Sequence, residues 1–233
     1  MRIIKIVFTA ICVAQLAACN QQSSSDLGEM KAELQQLRKQ VQHLEDLQAI
    51  EKVQARYAHL LFTGHFDQIV ETCYARKRDD VSVEFSDSGI YQGIDSVRAL
   101  YEGFAVANEI PGFFIMHMSV DPYIEIASDG MSARSHWLSP GATATPSRAS
   151  WVWGPYYVDY VKEDGEWRIL HSNLAPLFRT PYEKSWIATE DHGTVRGIVP
   201  VEPDGPPTIY RPYNELKKET NIFKNHPPLP EPY

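Results

Sequence analysis

The sequence predicts an α+β fold in which helices come first and a curved antiparallel sheet follows. In residues 27–61, apolar side chains recur every three or four positions, which is typical of amphipathic helices. Residues 113–174 contain five candidate strands rich in β-branched and aromatic residues. Asp164 and Gly165 lie between the last two of these strands and indicate a tight hairpin turn.

The predicted elements are joined by short connections. Gly64 ends the long helix, a second helix covers residues 66–74, and Asp95 caps a third helix that runs to about residue 106. The predicted strands are 81–85, 89–93, 113–120, 123–127, 131–138, 149–161 and 167–174.

The N-terminus has the order of parts of a signal peptide. Arg2 and Lys5 precede an apolar run at residues 6–13, which is too short for the ~20 residues of a membrane-spanning helix. Leu-Ala-Ala then precedes Cys19, which resembles a bacterial lipobox. The resemblance implies cleavage of residues 1–18 and a lipid on Cys19. The alternative is ordinary secretory cleavage beside a coincidental cysteine.

A lipid on Cys19 implies an exported, periplasm-facing lipoprotein whose acyl chains tie it to a membrane. Asn20 follows where an inner-membrane retention signal would favour Asp, so we expect the outer membrane rather than the inner. Residues 19–26 are polar and small, and we interpret them as a tether.

The composition excludes several partners. A net charge of −8 without a basic stripe argues against nucleic acid and against electrostatic binding to anionic lipid. Cys73 is the one cysteine left after removal of Cys12 and lipidation of Cys19, so no intramolecular disulfide is expected. No spacing of Cys, His or acidic residues indicates a metal, and we expect no cofactor.

Residues 27–45 carry a heptad pattern. Its apolar positions are followed by a wider apolar stripe from Leu47 to Leu61, which is typical of a helix on a globular core. We expect a stalk that forms a homo-oligomer, and the alternative is a helix that packs on its own domain. The heptad positions are Leu27, Met30, Leu34, Leu37, Val41 and Leu44.

Residues 186–233 form a proline-rich tail that we expect to lack regular structure. Its aromatic residues are too many for a solvated tail. We therefore expect part of it to lie across the domain or across a neighbouring subunit. These aromatics are Tyr210, Tyr213, Phe223 and Tyr233.

Residues 46–185 contain motifs in the order and spacing of a known domain family. The segments are 46–57, 63–67, 93–97, 116–118, 157–159 and 164–169. Together they resemble the SnoaL-like branch of the nuclear transport factor 2 superfamily. The resemblance implies a cone, with the sheet wrapped around the helices over an apolar pocket for a small hydrophobic molecule. It also implies relatives that work without a cofactor, including dehydratases, isomerases, cyclases and lyases, beside non-catalytic members.

The dehydratases of this superfamily place a helix tyrosine and a strand histidine in one pocket. These roles carry over to Tyr57 and His117. A neutral imidazole can take a proton from carbon and return one to a leaving hydroxyl. A phenol can hold the oxygen on which charge develops. The alternatives are a core histidine bonded to a backbone carbonyl and a tyrosine that only packs.

The sequence departs from the dehydratase pattern at two places. Phe62 stands where a bile-acid dehydratase has aspartate, and an arginine expected on the last strand is absent around Asn173. Asp159 could replace the missing acid if it faces inward together with Tyr157 and Val161 on the same strand. The alternative for Asp159 is an ion pair with Arg134 or Arg148.

Further residues are predicted to line the same pocket. His171 and Asn173 share a strand face with Trp167 and Ile169, so His171 joins the catalytic candidates. The pocket candidates are Phe62, Trp137, Tyr157 and Asn173, whereas Arg134 and His136 are expected outside.

Three functions are consistent with the sequence. The first is a cofactor-independent lyase, dehydratase or isomerase that acts on an aromatic or polyketide-like compound, with His117 as general acid and base. The second is a non-catalytic binding protein for an apolar small molecule. The third is a structural or assembly lipoprotein in which the heptads and the aromatic tail matter most.

Overall fold

The computed structural model describes residues 2–185, 199–208 and 227–231, and of residues 2–25 it describes the backbone alone. The chain divides into two compact units, Met1–Glu45 and Asp46–Tyr233. Within the described residues, no helix combines the length and the hydropathy that crossing a bilayer requires.

Helix α1 (Arg2–Phe62) forms the first unit and continues into the second. It runs without a break through residues 19–26, which their composition predicts as a tether. The six heptad positions between Leu27 and Leu44 are 48–64% exposed, so the described residues leave the apolar seam of the first unit uncovered.

The helices of the second unit bury one face each. In α1 the buried positions Ile50, Val53, Tyr57 and Leu61 follow helical spacing, which confirms the wider stripe. Two further helices complete the helical layer, α2 (Phe66–Cys73) and α3 (Gly93–Asn108). Helix α3 begins at Gly93, two residues before the predicted cap.

One eight-stranded sheet packs against these helices, in the order β2-β1-β7-β6-β5-β3, with β4 beside β5 and β8 beside β6. All its pairs are antiparallel except β1 with β7. The α+β cone fold is therefore confirmed. The strands are β1 (Ser82–Phe85), β2 (Gly89–Gln92), β3 (Phe114–His117), β4 (Val120–Ile126), β5 (Ser132–Thr145), β6 (Arg148–Glu163), β7 (Glu166–Leu174) and β8 (Phe178–Pro181).

Two strand predictions are wrong. Strand β5 continues to Thr145 through Pro140 and Gly141, which sequence rules treat as strand ends. Pairing with β6 along its whole length maintains this extension. The prediction omits strand β8, which follows Pro176 and Leu177. This strand has only four residues, too few to show a clear alternating pattern, and it is held by its pairing with β6.

Residues 199–208 lie across the second unit, as expected for part of the tail. Val199 is buried in the core, and Tyr91 donates its hydroxyl hydrogen to the Val201 carbonyl at 3.0 Å. Ile90 exchanges backbone hydrogen bonds with Asp204 and Gly205, so the segment extends the sheet beyond β2. The four tail aromatics named above lie outside the described residues.

Candidate functional site

Four buried tyrosines meet between the helices and the sheet. The ring of Tyr57 lies edge-on to the other three, with centroid separations between 6.0 and 6.4 Å. Tyr101 donates its hydroxyl hydrogen to Tyr57 at 3.4 Å, and burial raises the pKa of Tyr57. The Tyr57 phenol therefore stays protonated near neutral pH. The other three tyrosines are Tyr74, Tyr101 and Tyr156.

His117 lies on the same side of the sheet as Tyr57. Strand β3 pairs His117 with Gly141, and the imidazole lies over this glycine. A methyl group on Gly141 would come within 2.6 Å of His117 Nδ1, so this close approach requires glycine. His117 is edge-on to Tyr156 at a centroid separation of 6.3 Å. His117 and Tyr57 therefore pack against the same ring.

The imidazole of His117 is 2% exposed and is held neutral by its surroundings. Burial, and after it the positive charge of Arg179, lowers its pKa to about 3. Nδ1 lies 3.5 Å from Ser139 Oγ, while Nε2 has no hydrogen-bond partner among the described residues. A buried nitrogen of this kind either faces a ligand or costs stability.

A buried ion pair occupies the same interior region. Strand β8 places Arg179 opposite Val152, in the sheet row that also contains Gly141 and His117. Arg179 Nε lies 3.7 Å from Asp87 Oδ2, and both side chains are almost fully buried. The guanidinium also donates to Thr143 Oγ1 at 3.3 Å.

Sequence reasoning missed Arg179 and Asp87. Arg179 is an arginine on the last strand, but it comes after Pro176 rather than around Asn173. An arginine between Phe178 and Thr180 gives an alternating pattern that could have indicated a further strand. Asp87 lies in the turn between β1 and β2, where an acidic residue is ordinarily a turn former.

Trp137 faces the interior as predicted. Its indole N–H lies 2.6 Å from Ser135 Oγ and 3.1 Å from the Tyr160 hydroxyl oxygen. The Tyr160 hydroxyl in turn donates to Gln54 Oε1 at 2.8 Å. Since the polar atom of Trp137 is already satisfied, this side chain supplies an apolar wall.

The prediction that Phe62 lines the pocket is wrong. Phe62 is 50% exposed and packs edge-on against Phe114, with the ring centroids 6.1 Å apart. The preceding residue, Leu61, takes the buried position on the helix. The aspartate that the bile-acid dehydratase has at this place thus has no inward counterpart at position 62.

Four other predicted residues lie on the opposite face of the sheet, so the structure does not bring them to His117. On β6 the inward positions are Tyr156, Val158 and Tyr160, and the alternation places Tyr157 and Asp159 outside. Asp159 therefore cannot orient His117. Instead it lies 3.7 Å from Arg134 Nε, which agrees with the ion-pair alternative.

A β-bulge explains the error for His171 and Asn173. Tyr160 pairs with Ile169 and Asp159 pairs with His171, so Leu170 is an extra residue in β7. The extra residue reverses the alternation. Ile169 therefore faces the core while His171 and Asn173 face outward, although strict alternation from Trp167 predicts one shared face.

The outward residues line a pocket of about 790 Å³. His171 Nδ1 lies 2.9 Å from Ser82 Oγ, and Tyr157 is edge-on to His136 at a centroid separation of 4.6 Å. Among the described residues, no group of three or more His, Cys, Asp or Glu is arranged to hold a metal ion.

The pKa of His117 predicts a stability change with pH. The folded-state pKa is about 3 against an ordinary 6.5, so below pH 6.5 the unfolded chain binds a proton that the folded chain does not. Stability is therefore lost as the pH falls from 6.5 towards 3. At pH 5 this linkage amounts to about 2 kcal/mol, which His117→Gln should remove.

Urea unfolding at pH 7 and pH 5 measures the effect. The pH-dependent loss of stability should be smaller in His117→Gln than in the wild type. The control His59→Gln, on the exposed helix surface, should lose as much stability as the wild type does. An equal pH-dependent loss in His117→Gln and the wild type would contradict the lowered pKa.

Comparison with solved structures supports the fold. A scytalone dehydratase candidate from Novosphingobium aromaticivorans has a TM-score of 0.53 at 19% identity, covering 63% of this chain and 93% of that chain. The hexachlorocyclohexane dehydrochlorinase LinA-type3 from Novosphingobium barchaimii has a TM-score of 0.52 at 14% identity, covering 63% and 96%. LinA has a TM-score of 0.53 at 13% identity, covering 65% and 99%.

The sequence comparisons identify the family. No curated protein matches the chain significantly. The family model of the SnoaL-like domain matches residues 42–173, which is more than half of the chain. The chain therefore belongs to the SnoaL-like domain family.

Proposed function

We propose that this protein is a cofactor-independent lyase that catalyses an elimination on a small hydrophobic compound. The SnoaL-like family supports a small-molecule lyase or isomerase at the family level. Two of the structural neighbours named above are a dehydratase candidate and a dehydrochlorinase, and both names describe loss of a proton and a leaving group. The same chemistry suits an interior that holds a histidine and a phenol.

The proposal depends on the position and protonation state of His117. It is a buried, neutral imidazole whose Nε2 has no hydrogen-bond partner among the described residues, on the side of the sheet that also holds Tyr57. In the proposed step, a ring nitrogen of His117 takes a proton from a substrate carbon. The electron pair of that C–H bond forms the new C=C bond, and the leaving group departs with its own bonding pair.

Tyr57 and Arg179 provide the electrostatic support. The protonated Tyr57 phenol can donate a hydrogen bond to a carbonyl or leaving-group oxygen. The Arg179 guanidinium, held by Asp87, adds positive charge to the same interior. Burial makes the imidazolium form of His117 costly, so catalysis requires negative charge to develop on the substrate beside it. Asp159 and His171 take no part, because they lie on the other face.

A second candidate function is non-catalytic binding of an apolar molecule. Two observations favour it: Phe62 replaces the acid of the dehydratases, and the pKa of His117 is low for a general base. A ligand recovered unchanged after long incubation, with no product, would support binding over catalysis.

Turnover of an elimination substrate tests the proposal. With scytalone and hexachlorocyclohexane as probes, we expect loss of water or chloride from at least one of them. His117→Gln should lower kcat by about 100-fold or more, and Tyr57→Phe by roughly tenfold, because each removes a group that acts in the transition state.

The exposed His65→Gln is the matched control and should keep full activity. Circular dichroism verifies that each variant is folded. Unchanged turnover in folded His117→Gln would exclude His117 as the base, and no product from either probe would favour the binding function.

We also propose that a lipid on Cys19 anchors the protein to a membrane facing the periplasm, the outer membrane in preference to the inner. The order of basic, apolar and small residues before Cys19 supports this assignment. Cys19→Ser should move the protein from the membrane fraction to the soluble fraction. Continued sedimentation of Cys19→Ser with membranes would contradict a lipid anchor.

The exposed heptad seam supports self-association of the first unit, which is also the basis of the assembly function. We propose that a second copy covers this seam, because six apolar side chains at heptad spacing are exposed. Sedimentation of the Cys19→Ser chain should give a dimer or larger species. Leu34→Lys with Leu37→Lys should give a monomer, whereas Gln35→Lys with Gln36→Lys should not. The same mass for both pairs would contradict a role of the seam.

A further inference from the structure

The outer-face pocket combines residues of the family domain with two residues that lie beyond the family match. Its floor is the sheet face opposite His117 and Tyr57, and its wall includes Thr208 and Pro227. The family match ends at residue 173, so both wall residues belong to the C-terminal extension. Thr208 Oγ1 donates to Glu84 Oε2 at 2.6 Å, which ties this wall to the floor.

Two cross-strand rows of polar residues form the floor. Register places Ser82, His171, Asp159 and Arg134 side by side across four strands. The neighbouring row runs from Glu84 through Asn173, Tyr157 and His136 in the same order of strands. Polar groups from four strands thus converge on one pocket of about 790 Å³, a volume typical of small-molecule sites.

Acidic side chains outnumber basic ones among the described residues of the pocket. Four of these lining residues carry a carboxylate, and Arg134 carries a guanidinium. The pair between Arg134 and Asp159 offsets one of these charges, and Arg78 offsets that of Asp80 from the rim. The lining therefore favours a cation over an anion. The carboxylates belong to Asp79, Asp80, Glu84 and Asp159.

Asn173 gives the pocket a donor that no described residue uses. The residue is 8% exposed, and its Oδ1 accepts a hydrogen bond from Ser86 Oγ at 2.9 Å. Its Nδ2 has no hydrogen-bond partner among the described residues. A nearly buried amide in a pocket wall is stabilised when a ligand oxygen accepts from it.

We propose that this pocket is a second binding site, separate from the interior, for a small polar molecule with a protonated amine and hydroxyl oxygens. The carboxylates attract the amine, Asn173 donates to a hydroxyl oxygen, and the Tyr157 ring supplies an apolar surface. Amino sugars and amino alcohols have this combination. The site does not depend on the proposed elimination chemistry, because its residues lie on the other face of the sheet.

Calorimetry with a matched pair of probes tests the site on the full chain. Glucosamine carries the amine, and glucose has the same ring with a hydroxyl group in its place. Near neutral pH we expect saturable binding of glucosamine that is roughly tenfold tighter than that of glucose. Equal affinities for the two sugars, or no saturable binding of glucosamine, would overturn the proposal.

Variants locate the binding on the protein. Asp159→Asn and Asn173→Ala should each weaken glucosamine binding by roughly fivefold to tenfold, since each removes a polar contact. Asp67→Asn and Asn108→Ala are the matched controls at positions outside the pocket lining and should bind as the wild type does. Circular dichroism verifies the fold. Full binding in folded Asp159→Asn and Asn173→Ala, or equal losses in the controls, would overturn the assignment.

Discussion

Alternation of side chains along the central strands decides which polar groups of this protein can act together. On β6, Tyr156, Val158 and Tyr160 face the helices, whereas Tyr157 and Asp159 face away from them. A sheet separates its two faces completely, so no group on one face can transfer a proton to the other. The protein therefore has two independent polar regions: an interior around His117 and an outer pocket around Asp159.

The interior contains several buried polar groups, which are costly to keep in a protein core. A neutral histidine, four tyrosines and a buried Arg179–Asp87 pair lie between the helices and the sheet. Polar groups in such a place cost desolvation energy, which an apolar core would avoid. Binding of the proposed ligand in the interior of the cone would explain why the protein keeps these buried polar groups despite their desolvation cost.

The sequence predicted most of the fold, because helical spacing and strand alternation survive in the residues that pack. It also predicted that Tyr57, His117 and Trp137 face the interior. It failed where a local irregularity changed the phase: the extra residue Leu170 turns His171 and Asn173 outward. It failed again at Arg179, because a four-residue strand held by pairing with β6 has too little pattern of its own. For Asp159, both faces of β6 carry apolar residues, so its pattern does not distinguish inside from outside.

His117 is a neutral, buried imidazole that faces the interior of the cone. Nitrogen-15 NMR of the histidine side chains, followed through a pH titration, tests it most directly. We predict that His117 keeps the chemical shifts of a neutral ring from about pH 8 down to about pH 4, whereas a histidine in water ordinarily titrates within that range. A His117 titration midpoint near its ordinary value of 6.5 would contradict a neutral, buried imidazole.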